Sequence, residues 1–193
     1  VYGQAVSNQQ ETEIRKQSSL LLVSVVALRP IAMSQEGNRY PLVGVEDGDT
    51  ITIQVDGEIK RLQLAGIDAP EDQANPKLTR DLERTGLSAD TLLALGNAAT
   101  AHLKQLILPG DEVEVAGDLA ASDRYGRIPV FVYKDKHSLN AAMVTDGYAI
   151  VLQQSSIAQE IKAELSALQL RAQSEKRGLW GSHDSETFSW SGL

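Results

Sequence analysis

The chain contains no cysteine, which excludes a disulfide framework and any thiolate nucleophile or metal ligand. Histidine is nearly as scarce. His102, His137 and His183 are far apart and none has ligand-like spacing, so neither a zinc site nor a Ser-His-Asp triad finds support. Positive charge is also in short supply: 18 Lys and Arg against 26 Asp and Glu leave a net charge of −8. The basic residues are dispersed, which argues against tight non-specific binding of nucleic acid. Chemistry on phosphate is not excluded, because a divalent ion held by carboxylates supplies positive charge locally. No apolar run reaches the ~20 residues needed to span a bilayer, and no internal repeat is present.

What is present suits one ordinary domain with extensions: 193 residues, 42% of them hydrophobic, enough to bury a core. Residues 1–37 read as an N-terminal extension, 38–181 as the folded domain and 182–193 as a polar, mobile tail in which Phe188 and Trp190 could dock. In the extension, Arg15 and Lys16 precede an apolar run over 20–28, followed by Arg29-Pro30 and Ala32-Met33-Ser34. That order reads as a secretory signal peptide cleaved after Ser34, or an anchor, and implies a secreted, periplasmic or membrane-associated protein. Glu11 and Glu13 are out of place in a basic leader. The competing reading is an extra strand or helix packed on the domain of a cytoplasmic protein.

Strand signals begin at Tyr40. An apolar run over 40–45 is broken by Asp47-Gly48-Asp49; Ile51, Ile53 and Val55 then alternate with polar residues. Asp56-Gly57 marks a hairpin turn. The strand over 59–66 places Ile59, Arg61, Gln63 and Ala65 on one face and Leu62 and Leu64 on the other. Residues 72–87 are polar and read as a long surface loop. Ser88 is the expected N-cap of a helix carrying Leu92, Leu95, Ala99, Leu103 and Leu106 on one face, divided at Gly96 and stopped by Pro109-Gly110. Two further strands cover 112–116 and 128–133. Ser138 caps a short helix ending at Gly147. Ser156 and Gln159 form a capping box for a last helix, with Ile157, Ile161, Leu165, Leu168 and Ala172 facing the core and Gly178 at its end. The plan is mainly β with about three helices: a five-stranded, partly open OB-fold barrel, with a helix between its third and fourth strands.

Asp49 starts one strand and Asp68 ends another, so their carboxylates could meet at one end of such a barrel. Singly, Asp49 suits a turn and Asp68 a cap; together with Glu71 they suit a hard cation, which takes oxygen ligands. Asp47-Gly48-Asp49-Thr50, Leu64-Ala65-Gly66-Ile67-Asp68-Ala69-Pro70-Glu71 and Asp123-Arg124-Tyr125-Gly126-Arg127 stand in that order, followed by Asn140 and Gly178-Leu179-Trp180-Gly181. On these motifs the chain resembles the staphylococcal nuclease (thermonuclease) family over about residues 40–181.

The resemblance implies a calcium-dependent phosphodiesterase that hydrolyses single-stranded DNA or RNA. Asp49, Asp68 and the Ala69 carbonyl would be the metal ligands, Glu71 the residue that activates water, and Arg127 the cation that reaches the phosphate. The competing role for Arg127 is an ion pair with Asp123 that braces the loop.

Three departures stand out. The family's other catalytic arginine lies five residues before the second metal aspartate, where this chain has Gln63; losing one transition-state donor typically costs ~2.7–4 kcal/mol. Arg61, two residues earlier on the same face and ~6.8 Å away, is a candidate substitute, or else an ordinary solvated strand residue. Gln153 and Ser155 stand where the family places aromatics that stack on the nucleotide, an interaction worth ~1–3 kcal/mol per base. Tyr125 and Tyr148 remain as candidate aromatics. Finally, the stretch after Glu71 is longer than in the family prototype and lies where substrate would enter, as a lid or an altered rim. The expectation is an attenuated, weakly binding, monomeric nuclease. One alternative is a catalytically impaired nucleic-acid or protein-binding module, like the nuclease-like domains of Tudor-containing coactivators. Another is a calcium-binding OB domain acting on a non-nucleic ligand.

Overall fold

Alternating apolar residues from Ile51 onward build a hairpin in which β2 (Thr50–Val55) and β3 (Glu58–Leu64) pair antiparallel. Asp56 and Gly57 both have positive φ at the turn, as a two-residue hairpin connection requires. Ile51, Ile53, Leu62 and Leu64 point inward and are fully buried, whereas Ile59 is exposed. The computed structural model describes residues 38–193; the expectation of a leader or anchor falls outside them.

β1 (Asn38–Val45) serves both halves of a barrel. Its first residues pair with β5 (Glu112–Ala116) and its last with β2, across an irregularity between Leu42 and Gly44. β5 pairs with β6 (Arg127–Lys134), which runs parallel to β3 and closes the order β3-β2-β1-β5-β6 on itself. This is the expected five-stranded OB barrel. β7 (His137–Ser138) extends β6. β4 (Ile67–Asp68) pairs separately with β8 (Ile150–Val151).

The helical part is richer than expected. Residues 72–87 are not an extended loop: they contain α1 (Pro76–Thr85). Asn75 caps it by accepting from the Lys77 and Leu78 amides, Pro76 supplies a helix-ready φ at the first position, and Gly86 ends it in the left-handed region. Its polar composition hides the helix, because only Leu78 and Asp81 are buried, one turn apart. α2 (Ala89–Leu106) begins at Ser88 as expected and runs unbroken through Gly96. α3 (Leu139–Thr145) is capped by Ser138. α4 (Gln159–Ser174) starts at Ala158 with no side-chain cap, so Ser156 and Gln159 form no capping box. Leu165 and Ala172 nevertheless supply its buried face. After α5 (Leu179–Ser182), residues of the expected polar tail fold into α6 (Asp184–Ser191), with Trp190 buried.

Two cores result. One fills the barrel and continues under α2, α3 and α4; the other gathers Leu78, Leu92, Leu95, Leu179 and Trp190, so that α1 and α6 share one apolar seat on α2. Among the described residues no helix is long and apolar enough to cross a membrane.

Candidate functional site

The Asp47-Gly48-Asp49 turn brings Asp49 to the mouth of the barrel. Asp47 Oδ1 accepts from the Asp49 amide at 3.0 Å, a local bond that favours a turn over continued strand. The Asp49 side chain is buried, accepting from the Thr50 hydroxyl at 3.0 Å and from the Ala69 amide at 3.3 Å. The second bond ties the start of β2 to the residue that follows β4, which brings Asp49 within electrostatic reach of Asp68. Asp68 is positioned from the other side by the pairing of β4 with β8, opposite Ile150. Asn140, fully buried, donates to the Ala65 and Val130 carbonyls and accepts from the Val132 amide, locking the end of β3 to β6 just before the Gly66–Glu71 turn.

Two glycines allow this convergence. A Cβ on Gly48 would stand 2.8 Å from both Ala69 Cβ and Ala99 Cβ; one on Gly96 would stand 2.1 Å from the Glu71 carbonyl oxygen. Gly96 therefore does not divide α2. It lets the backbone carrying Glu71 lie directly on the helix, where the Thr100 hydroxyl also donates to Asp72 at 2.8 Å.

The acidic groups crowd one another. Burial, reinforced by the charge of Asp49, pushes Asp47 up to about 7. Burial and the neighbouring Asp68 raise Asp49 to about 6, against the Thr50 hydroxyl, Lys77 and Arg127. Burial also raises Asp68 to about 6, with Lys77 opposing. Such a surplus of desolvated negative charge is relieved by a cation. The donors are all oxygens, so the set fits a hard divalent ion held by Asp49, Asp68 and the Ala69 carbonyl. Among the described residues no three acidic or histidine side chains gather at ligand spacing; an ion here would rest on two carboxylates, a carbonyl and water.

Sequence reasoning missed Lys77. Its Nζ lies 3.3 Å from Asp68 Oδ2, 3.0 Å from Glu71 Oε1 and 3.2 Å from the Ala69 carbonyl oxygen. Burial alone would lower its pKa, but the charges of Asp68, Glu71 and Asp81 prevail and raise it. Asn75, also missed, donates through its amide to the other Glu71 oxygen. The Asn75-Pro76 pair, an N-cap followed by a first-turn proline, is the signal that could have revealed the helix bearing both contacts.

Arg127 begins β6 beside this cluster. Its guanidinium holds Asp123 at 3.0–3.1 Å while Asp123 accepts from its amide, so the bracing pair is formed. Arg61 is its neighbour in the β3–β6 register, but its fork grips Glu46 and the Tyr125 carbonyl. Gln63 lies opposite Thr50, one residue from Asp49. Gln153 is exposed and Ser155 half-buried, and Lys162 holds both of their carbonyls. Tyr148 stacks on His102 at 4.1 Å. Tyr125 is half exposed, with the Arg124 and Arg127 guanidinium groups 4.7 and 5.5 Å from its ring.

The chain is similar to several known proteins. The family model for staphylococcal nuclease homologues matches residues 61–182, a span that holds Asp68, Glu71 and Arg127. Endonuclease YhcR of Bacillus subtilis is 30% identical over 179 residues, covering 88% of this chain but only 13% of that longer protein. An uncharacterized endonuclease of Escherichia coli is 33% identical over 74% of this chain and 77% of its own length. The thermonuclease of Staphylococcus intermedius is 29% identical over 58% of this chain and 59% of its own. With the barrel and the ordered motifs in agreement, the chain belongs to the staphylococcal nuclease homologue family.

Proposed function

We propose that this chain is a calcium-dependent phosphodiesterase acting on single-stranded DNA or RNA, attenuated by glutamine at position 63. The observation that carries this reading is the meeting of Asp49, Asp68, the Ala69 carbonyl and Glu71 at one end of the barrel, with Arg127 close enough to act on the Asp49 charge. When bound, the ion would neutralise phosphate charge and polarise the phosphoryl oxygen. Glu71 takes the proton from the attacking water, once its carboxylate is released from Asn75 and Lys77. Arg127 donates to the charge that builds on the phosphoryl oxygens, held at the right angle by Asp123. Gln63 donates without charge. Tyr125, an exposed ring in a basic loop, offers a stacking face.

Hydrolysis of a single-stranded oligonucleotide, DNA and RNA in parallel, tests this. Activity is expected with calcium, none with chelator, and a fall of about 10²–10⁴-fold in Glu71→Gln. Cleavage that survives both chelation and Glu71→Gln would remove the proposal. One observation favours the second reading, a binding module that has lost turnover: the Arg61 guanidinium is engaged by Glu46 and Tyr125 rather than directed to the position of Gln63. Retained oligonucleotide binding without cleavage under any divalent ion would select that reading.

A further inference from the structure

The helix inserted after Glu71 delivers a cation into the acidic cluster. Lys77 Nζ touches Asp68, the Ala69 carbonyl and Glu71. These are two of the three groups proposed to hold the ion, together with the proposed base. An ammonium in that place uses the oxygens a divalent cation needs, and two cations cannot share them at such distances without strong repulsion. Resting on the reading that this cluster takes a divalent ion, we propose that Lys77 is the resident counter-ion of the metal site. It is an internal competitor that the divalent cation must displace before Glu71 is free to activate water.

The surroundings of Lys77 suit a side chain with two seats. Asp81, one turn along α1, is 3.5 Å from its Nζ and is itself held by Arg84 at 2.9 Å. The ammonium can therefore withdraw along its own helix without losing a carboxylate partner, which keeps displacement inexpensive compared with stranding a buried charge. Asn75 occupies the second Glu71 oxygen, so one short segment engages both oxygens of the base. That segment is not free to drift: Leu78 is buried in the second core with Trp190, whose ring lies 5.9 Å from Lys77 Nζ. Removing Lys77 leaves the carboxylates without their internal cation, and the vacated oxygens are then open to the ion alone.

Calcium titration by calorimetry on the full chain, comparing wild type, Lys77→Met, Lys77→Gln and Asp49→Ala, tests the proposal. Both Lys77 variants should bind calcium at least tenfold more tightly than wild type. They should also melt at a lower temperature without metal and recover with it, while Asp49→Ala binds more weakly. Equal or weaker calcium affinity in folded Lys77 variants overturns the proposal and leaves the metal reading standing. If wild type and all variants bind no calcium, the metal reading itself fails and takes this one with it. Should the Lys77 variants not fold without calcium, the wild-type chain still decides. The Lys77 side-chain ammonium resonance should shift with the same midpoint as calcium binding, and a resonance that stays fixed while calcium binds overturns displacement.

Discussion

Gln63 faces Thr50 across the β2–β3 pair, next in register to the buried Asp49. A cation there would meet a phosphate at the same end of the barrel as Arg127, and a neutral amide gives only a hydrogen bond. Gln63→Arg is therefore expected to raise the rate of oligonucleotide cleavage at least tenfold, within the ~10²–10³ associated with one transition-state donor. An unchanged rate would show that charge at position 63 does not limit this chain. Gly96 offers a test at the same scale with a sign that discriminates. On an open helix, glycine to alanine stabilises by ~1 kcal/mol. Here the added Cβ would meet the Glu71 carbonyl at 2.1 Å, and overpacking of this kind typically costs ~1–3 kcal/mol. Gly96→Ala should thus unfold at lower urea and bind calcium less well; a stabilised variant would contradict the close contact. The charge missing at position 63 was legible in the amino-acid order; the close contact at Gly96 was not, since there the glycine suggests only a break in a helix.

The inserted α1 and the C-terminal α6 form a cooperative pair on α2. Neither buries much by itself: α1 contributes Leu78 and Asp81, and α6 contributes Thr187 and Trp190. Arg84 joins them by donating to the Ser189 and Trp190 carbonyls as well as to Asp81. Trp190→Ala is expected to cost about 3–5 kcal/mol in urea unfolding, and to loosen α1 as well, so hydrogen exchange should rise in residues 76–85. Faster exchange confined to residues 184–191 would show that the two helices are independent. Both were misread from sequence for one physical reason. Short helices that bury only one or two apolar side chains have weak periodicity, and their stability comes from each other rather than from propensity.

Across the whole molecule, acidic groups outnumber basic ones and the net charge is −8. On the proposed reading, oligonucleotide binding would depend on a few local cations, chiefly Arg127 and Arg124 in the loop around Tyr125. For about two phosphate contacts, the affinity for a single-stranded oligonucleotide should fall with a slope of about −1.4 in log K against log salt. A slope steeper than about −4 would reveal a basic surface that the charge distribution does not suggest. The barrel itself was legible, since β2 and β3 alternate cleanly and the turns at Asp47-Gly48-Asp49 and Asp56-Gly57 punctuate them.

The order of residues determined the barrel strands, the caps at Ser88 and Ser138, and the identity of the acidic and basic groups at one end of the fold, because these follow from periodicity, turn chemistry and short motifs. Tertiary structure alone decided which of those groups touch. That Asp49 reaches the Ala69 amide, that Arg61 is held by Glu46, and that Lys77 stands among Asp68, Ala69 and Glu71 depend on strand register and on where a polar helix docks. A charged side chain carries no periodic signal of its partner; its position is fixed where Leu78 beside it seats the helix on Leu92, Leu95, Leu179 and Trp190, residues distant from it along the chain.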